Sequence, residues 1–232
     1  FRMPERKTRD FGGKAHCFNT GYARVKHLPH DVIASLDADI TFEPGYFEFL
    51  LGKLVEDPKL GLVGTPFAED GYTYDYRFSS ADHVSGACQV FRCECFEAIG
   101  GYVPIRGGGI DWVAVATARM KGWKTRTFPE QVCHHHRPMG SANSTALGSN
   151  FKLGCQDYYL GGHPLWQAFR AAFQMTRRPY VLGGILLFLG YVSSWVRRKE
   201  RPVSAELIRF HRGEQLLRLK EILRKMIPFR SH

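Results

Sequence analysis

The chain has 232 residues, 44% of them hydrophobic and 23% charged. That is ordinary globular composition, enough for one large domain or a domain with an appendage, and too large to need disulfide staples. Six cysteines (17, 88, 93, 95, 133 and 155) form no paired C-x-x-C units and read as reduced thiols of a cytosolic compartment. The formal net charge of +10 is unevenly placed: residues 1–162 carry 18 Lys/Arg against 18 Asp/Glu, and residues 163–232 carry 14 against 4. A neutral body with a basic tail calls for an anionic partner surface at the tail, either nucleic acid or the cytoplasmic membrane leaflet.

Residues 1–14 are polar and irregular, and 15–27 suit a short helix. Residues 31–37, DVIASLD, have the compact apolar core of a buried strand of the parallel-sheet kind. A helix follows over 43–58, opened by Pro44 and Gly45 and ended by Pro58, with Phe47, Leu50, Leu51, Leu54 and Val55 expected on one face. Residues 60–67 are a second buried strand, and 83–101 a strand and short helix stopped by Gly100–Gly101. Residues 110–123 form a helix with Val113, Ala116 and Met120 aligned, and 124–136 a strand, turn and strand. This alternation predicts an α/β sheet, after which it fades.

From Gly161 the character changes. A basic helix is expected over 163–179, followed by 17 uncharged residues at 180–196 bracketed by Arg177–Arg178 and Arg197–Arg198–Lys199. Residues 204–227 form a basic amphipathic helix, capped by Ser204, with Leu216, Leu219, Leu223 and Met226 as its stripe. Positive charge on both sides of 180–196 defeats the asymmetry that orients a spanning helix. A shallow or re-entrant insertion fits better, with Trp166, Tyr180, Tyr191 and Trp195 near its edges; a buried hairpin of the soluble core is the alternative.

The residue pattern that carries chemistry begins with Asp37–Ala38–Asp39, directly after VIASL. Two carboxylates this close repel unless a cation relieves them, and a hard divalent ion does so with help from substrate phosphate oxygens. The carboxyl end of a strand is also where open α/β sheets bind ligands. Asp111 opens the 110–123 helix, where the helix dipole favours an ionised carboxylate. A simple N-terminal cap would occupy the same place. CHHHRP at 133–138 offers imidazoles, of which at most two can share an ion because strand neighbours alternate sides. Arg137 could neutralise phosphate charge.

These motifs, in this order, resemble family 2 glycosyltransferases, which are inverting, nucleotide-sugar-dependent enzymes of the GT-A fold. The matching residues are Gly13-Lys14-Ala15, Asn19, Gly21, Leu36-Asp37-Ala38-Asp39, the 85–102 segment ending Gly-Gly-Tyr, and 107–132 around Ile110–Asp111. The family usually has Glu-Asp where this chain has Ile110–Asp111. The resemblance covers about residues 12–140. It implies a GT-A-like mixed sheet flanked by helices, with the first nucleotide-binding strands absent from this stretch. Together with the change of character at Gly161, this divides the chain into a catalytic domain, 1–160, and a helical, basic, membrane-associating region, 161–232. The resemblance further implies Mg²⁺ or Mn²⁺ held by Asp39 with His135 and His136 (His134 not separated from them), and donor contacts from Lys14, Asp37 and Asp39. Asp111 is then the catalytic base, and Trp112 stacks on the acceptor sugar or is core packing.

The implied partners are a nucleotide-diphosphate sugar, a saccharide or lipid-linked acceptor, and an anionic membrane surface through residues 163–232, without nucleic acid. The implied place is the cytoplasmic face of the cell membrane, peripheral or monotopic, in polysaccharide or glycolipid synthesis. A non-catalytic or truncated transferase-like membrane subunit is the rival reading, and a nucleic-acid-binding protein the third. EQLLRL at 214–219 partly resembles a Gln-x-x-Arg-Trp motif of processive members, lacks its Trp, and reads as helix surface.

Overall fold

A computed structural model describes residues 10–69, 81–136 and 146–226. The chain divides into two compact units, Phe1–Met139 and Gly140–His232. In the first, helices flank two mixed sheets. In chain order the elements are α1 (Gly12–Val25), β1 (Val32–Leu36), β2 (Ile40–Phe42), α2 (Tyr46–Glu56), β3 (Leu60–Gly64) and β4 (Phe67–Ala68). They continue with β5 (Cys88–Arg92), α3 (Cys93–Ala98), α4 (Ile110–Met120), β6 (Lys124–Thr127) and β7 (Cys133–His135). One sheet runs β1-β5-β3-β6 and the other β2-β7-β4.

The first sheet is built around β3, whose five residues are all buried because it has a partner on each edge and helices over it. It pairs antiparallel with β5 and parallel with β6. The parallel-type burial expected of β1 is not found. β1 pairs antiparallel with β5, from Val32 opposite Arg92 to Leu36 opposite Cys88, and ends the sheet among the described residues. Only Ile33 and Ser35 are buried, so the strand alternates as a half-covered one does.

Helix α2 is also rotated from its expected face. Tyr46, Leu50 and Leu54 point inward, while Leu51 is 38% and Val55 81% exposed. The pivot is Tyr46, whose buried hydroxyl hydrogen-bonds Thr65 Oγ1 at 2.7 Å and thereby pulls positions 46, 50 and 54 into the core. That core also holds Leu60, Val63, Val90 and Cys133.

The α3 stop sits as expected. Gly100 and Gly101 take φ of 74° and 79°, a region that side chains with a Cβ avoid, and Gly101 N–H donates to the Phe96 carbonyl. Asn19 on α1 grips the chain just beyond: its amide donates to the Tyr102 carbonyl at 2.7 Å and its oxygen accepts the Tyr102 N–H at 3.1 Å. Phe18, Phe91, Phe96 and Tyr102 pack edge to face beneath.

Among the described residues the second unit is four helices: α5 (Ala146–Tyr159), α6 (Pro164–Met175), α7 (Val181–Val196) and α8 (Ala205–Met226). Helix α5 has no clear sequence signal, since ALGSNFKLGCQDYY mixes glycine with polar residues. It exists by packing on α7 through glycines: a Cβ at Gly154 would collide with the Leu187 carbonyl, and one at Gly190 with the Phe151 carbonyl. A Cβ at Gly184 would likewise meet the Ala171 carbonyl of α6. Tyr191, expected at an apolar edge, is instead buried, its hydroxyl donating to the Gly162 carbonyl at 2.9 Å. Ser204 caps α8 through Oγ, which accepts the Leu207 N–H.

The buried face of α8 is Leu207 and Gln215, not the expected leucine stripe, of which Leu216 and Leu223 are exposed. Gln215 is buried rather than surface because Oε1 takes the His163 N–H at 2.7 Å. The Met226 side chain lies outside the described residues. No helix among the described residues is long and apolar enough to cross a membrane.

Candidate metal and active site

Asp37 and Asp39 do not continue β1; they lie in the turn that carries the chain from β1 in one sheet to β2 in the other. The Asp37 N–H still donates to the Ala87 carbonyl, which holds the start of the turn against the strand that pairs with β1. The third member arrives through β7, which lies between β2 and β4. Ile40 faces His135, Thr41 faces His134, and Ala68 of β4 also faces His134. The register brings His135 beside Asp39 on one flank and Glu69 on the other.

One ligand atom from each of Asp37, Asp39 and His135 lies within 4.8 Å of the others. His135 Nε2 is 3.6 Å from Asp39 Oδ1, and His135 Nδ1 is 3.1 Å from Glu69 Oε1. Ligand bonds to such ions are about 2.0–2.2 Å, so small side-chain rotations let one ion reach all three donors. Two carboxylates and one imidazole suit a divalent ion that accepts both oxygen and nitrogen, Mn²⁺ more readily than Mg²⁺.

His136 is not in this group. Strand neighbours alternate sides, and its Nε2 meets Thr41 Oγ1 at 2.9 Å. His134 is exposed at the register position of Thr41. Arg137 lies outside the described residues.

Lys14, in the first turn of α1, reaches back to Asp37: Nζ is 2.5 Å from Oδ1 and donates to the Gly86 carbonyl at 3.0 Å. Gly86 in turn packs on Asp111, and a Cβ there would lie 3.0 Å from the Asp111 Cβ and Oδ2. Asp37, Lys14, Gly86 and Asp111 are thus consecutive contacts. Asp111 stands in the first turn of α4, entered through Gly109 at φ 88°. Ile110, where the resemblance would have Glu, is buried, so that position serves the core. Trp112 is half-buried beside Asp111.

Beneath these groups, buried Gln89 joins the Asp111 carbonyl (3.5 Å) to the Tyr102 hydroxyl (2.6 Å). Burial drives the Tyr102 hydroxyl far above its usual range, and the Asp111 and Asp37 carboxylates push the same way, so it stays a donor. Two residues here escape the sequence reading. Glu69 stands in a loop-like stretch with no motif around it, and only the β4–β7 register reveals it. His83 is pushed down by burial, with the Asp111 carboxylate opposing and Arg119 reinforcing the shift, which makes it a neutral neighbour of Asp111.

No protein-family model matches the chain, and no curated protein matches it. Among solved structures, the mannosyltransferase PcManGT from Pyrobaculum calidifontis, in complex with GDP-Man and Mn²⁺, is 18% identical with a TM-score of 0.45. The match covers 96% of this chain and 63% of that one, so the chain spans less than two thirds of that protein's length. Neither the reaction nor the ligands of that enzyme transfer to this chain through a likeness of that size.

Proposed function

We propose that this chain carries the metal- and acceptor-facing residues of a family 2 type glycosyltransferase of GT-A-like fold. It moves a hexose from a nucleotide-diphosphate sugar to a saccharide or lipid-linked acceptor with inversion. The observation that carries the reading is the convergence of Asp37, Asp39 and His135 on one point, with Asp111 three contacts away from Asp37 through Lys14 and Gly86.

Asp39 and His135 hold the cation, and Asp37 shares its charge with Lys14 and the donor. A bound Mn²⁺ or Mg²⁺ supplies Lewis-acid stabilisation of the charge on the departing diphosphate. The Asp111 carboxylate takes the proton of the acceptor hydroxyl. That oxygen bonds to the anomeric carbon on the face opposite the breaking carbon–oxygen bond, so the configuration inverts and the nucleoside diphosphate leaves with the bonding pair. Trp112, next to Asp111, offers a face for the acceptor ring. The basic helices of residues 163–232 hold the enzyme at the cytoplasmic face of an anionic membrane, where polysaccharide or glycolipid acceptors lie.

The test is release of nucleoside diphosphate from a panel of nucleotide sugars with Mn²⁺ and acceptor. Asp111→Asn is expected to keep Mn²⁺ affinity and lose roughly 10²- to 10⁴-fold in turnover. Turnover by Asp39→Ala at an undiminished rate sinks the proposal. Two observations favour a non-catalytic subunit instead: the ion pair of Lys14 on an Asp37 oxygen and the buried Ile110. Calorimetry with UDP or GDP and Mn²⁺ separates the two readings, because a chain of that kind gives no heat at millimolar ligand.

A further inference from the structure

The outer face of α7 has no reason to be apolar if it faces water. At 100° per residue, Gly183, Gly184, Leu187, Gly190, Tyr191 and Ser194 fall on one side, and these are the residues buried against α5 and α6. Val181, Leu182, Ile185, Phe188, Leu189, Val192, Trp195 and Val196 fall within an arc of about 140° on the other. All but half-buried Val192 are exposed, and none is polar over the full 16 residues. A water-facing helix of a soluble domain carries charges on that face.

Alongside runs an apolar groove of 280 Å³ between α6 and α7, lined by Ala168, Ala171 and Met175 on one wall and Ile185, Phe188 and Leu189 on the other. Cations mark both ends of the stripe: Arg177 and Arg178 before it, Arg197, Arg198 and Lys199 after it. No acid lies between residues 158 and 199.

We infer that α7 lies flat in one leaflet of an anionic bilayer, its outer face at acyl depth, with a lipid hydrocarbon tail in the α6–α7 groove. The inference rests on the membrane placement proposed above and assigns it to a face. A helix lying in the plane needs an apolar arc along its whole length, and cations at both ends put each end at the headgroup level. A spanning helix needs no one-sided apolar arc, and a segment of this length and glycine content is too short to span. The inward glycines let α5 and α6 approach closely and cover the inner face, so only one side is left for lipid.

The experiment is flotation of the full chain with vesicles of phosphatidylcholine alone and with phosphatidylglycerol at about one third. The chain should float with the anionic vesicles, and added salt should weaken its binding. Ile185→Glu/Leu189→Glu should abolish flotation while keeping the helical circular dichroism and the Mn²⁺ heat, because both positions are exposed. Arg197→Gln/Arg198→Gln/Lys199→Gln should lower partitioning onto anionic vesicles by roughly 100-fold. Trp195 emission should shift to the blue and be quenched by brominated acyl chains, and Trp195→Phe should lose that signal.

Flotation of the double glutamate variant like wild type overturns the inference. So does equal binding to both vesicle types, or a soluble dimer that this variant splits while wild type ignores lipid. Asp39→Ala reports separately: lost turnover with flotation intact touches only the transfer chemistry.

Discussion

Glu69 gives the sharpest handle on the site, because the transfer reading needs His135 to present one particular nitrogen. Its Oε1 is 3.1 Å from His135 Nδ1, and the two side chains are only 9% and 11% exposed. A carboxylate on that ring nitrogen keeps the proton at Nδ1 and leaves the Nε2 lone pair toward Asp39, 3.6 Å away. Replacing Glu69 by Ala frees the ring to turn and to change tautomer. Hydrogen bonds to a charged group are worth about 1.5–3 kcal/mol, and lost outer-shell partners cost metal sites about 10- to 100-fold in affinity. Those ranges agree, since each tenfold is about 1.4 kcal/mol.

Glu69→Ala should therefore weaken Mn²⁺ binding by about 10- to 100-fold in calorimetry. Glu69→Gln, which keeps an acceptor oxygen without the charge, should fall between that variant and wild type, and His135→Ala should lose more than either. Wild-type affinity in Glu69→Ala refutes the argument. So does a loss equal to that of His135→Ala in Glu69→Gln, which would make Glu69 itself a ligand.

Other outcomes follow from packing and burial. Gly154→Ala drives a methyl into the Leu187 carbonyl and should cost at least about 2 kcal/mol, read as a lower thermal midpoint. Gly52→Ala, inside α2 with nothing within 4 Å of its new methyl, should instead stabilise by about 0.5–1 kcal/mol. Burial pushes the Cys95 thiol from 9.0 up to about 12. Above pH 9 the unfolded chain loses that proton and the folded one keeps it. Its stabilising effect is therefore complete below pH 9 and declines as pH rises toward 12, by up to about 1.4 kcal/mol per unit. Chemical denaturation across that range should show a shallower slope for Cys95→Ala, and an unchanged slope would refute the assignment.

Much of the first unit was legible because its signals are local. The alternation of strand and helix from residue 31 to 136 is written in apolar runs, and the α3 stop in Gly100–Gly101. The pairing of Asp37 with Asp39 needs only two residues to be noticed. What the sequence by itself determined was therefore the order of elements and the chemical types at the site: acids after β1, an acid opening α4 and imidazoles on β7. The tertiary structure decided which of them meet.

His135 rather than His136 faces the acids because β7 lies between β2 and β4 in one register, and a slip of one residue would exchange them. Glu69 joins from 66 residues away through the same register, which no spacing in the sequence announces. Tyr46 rotated α2 by finding Thr65, and α5 became a helix only because glycines let it lie on α7. In each case the deciding energy comes from contacts between distant segments, and local propensity carries no record of them.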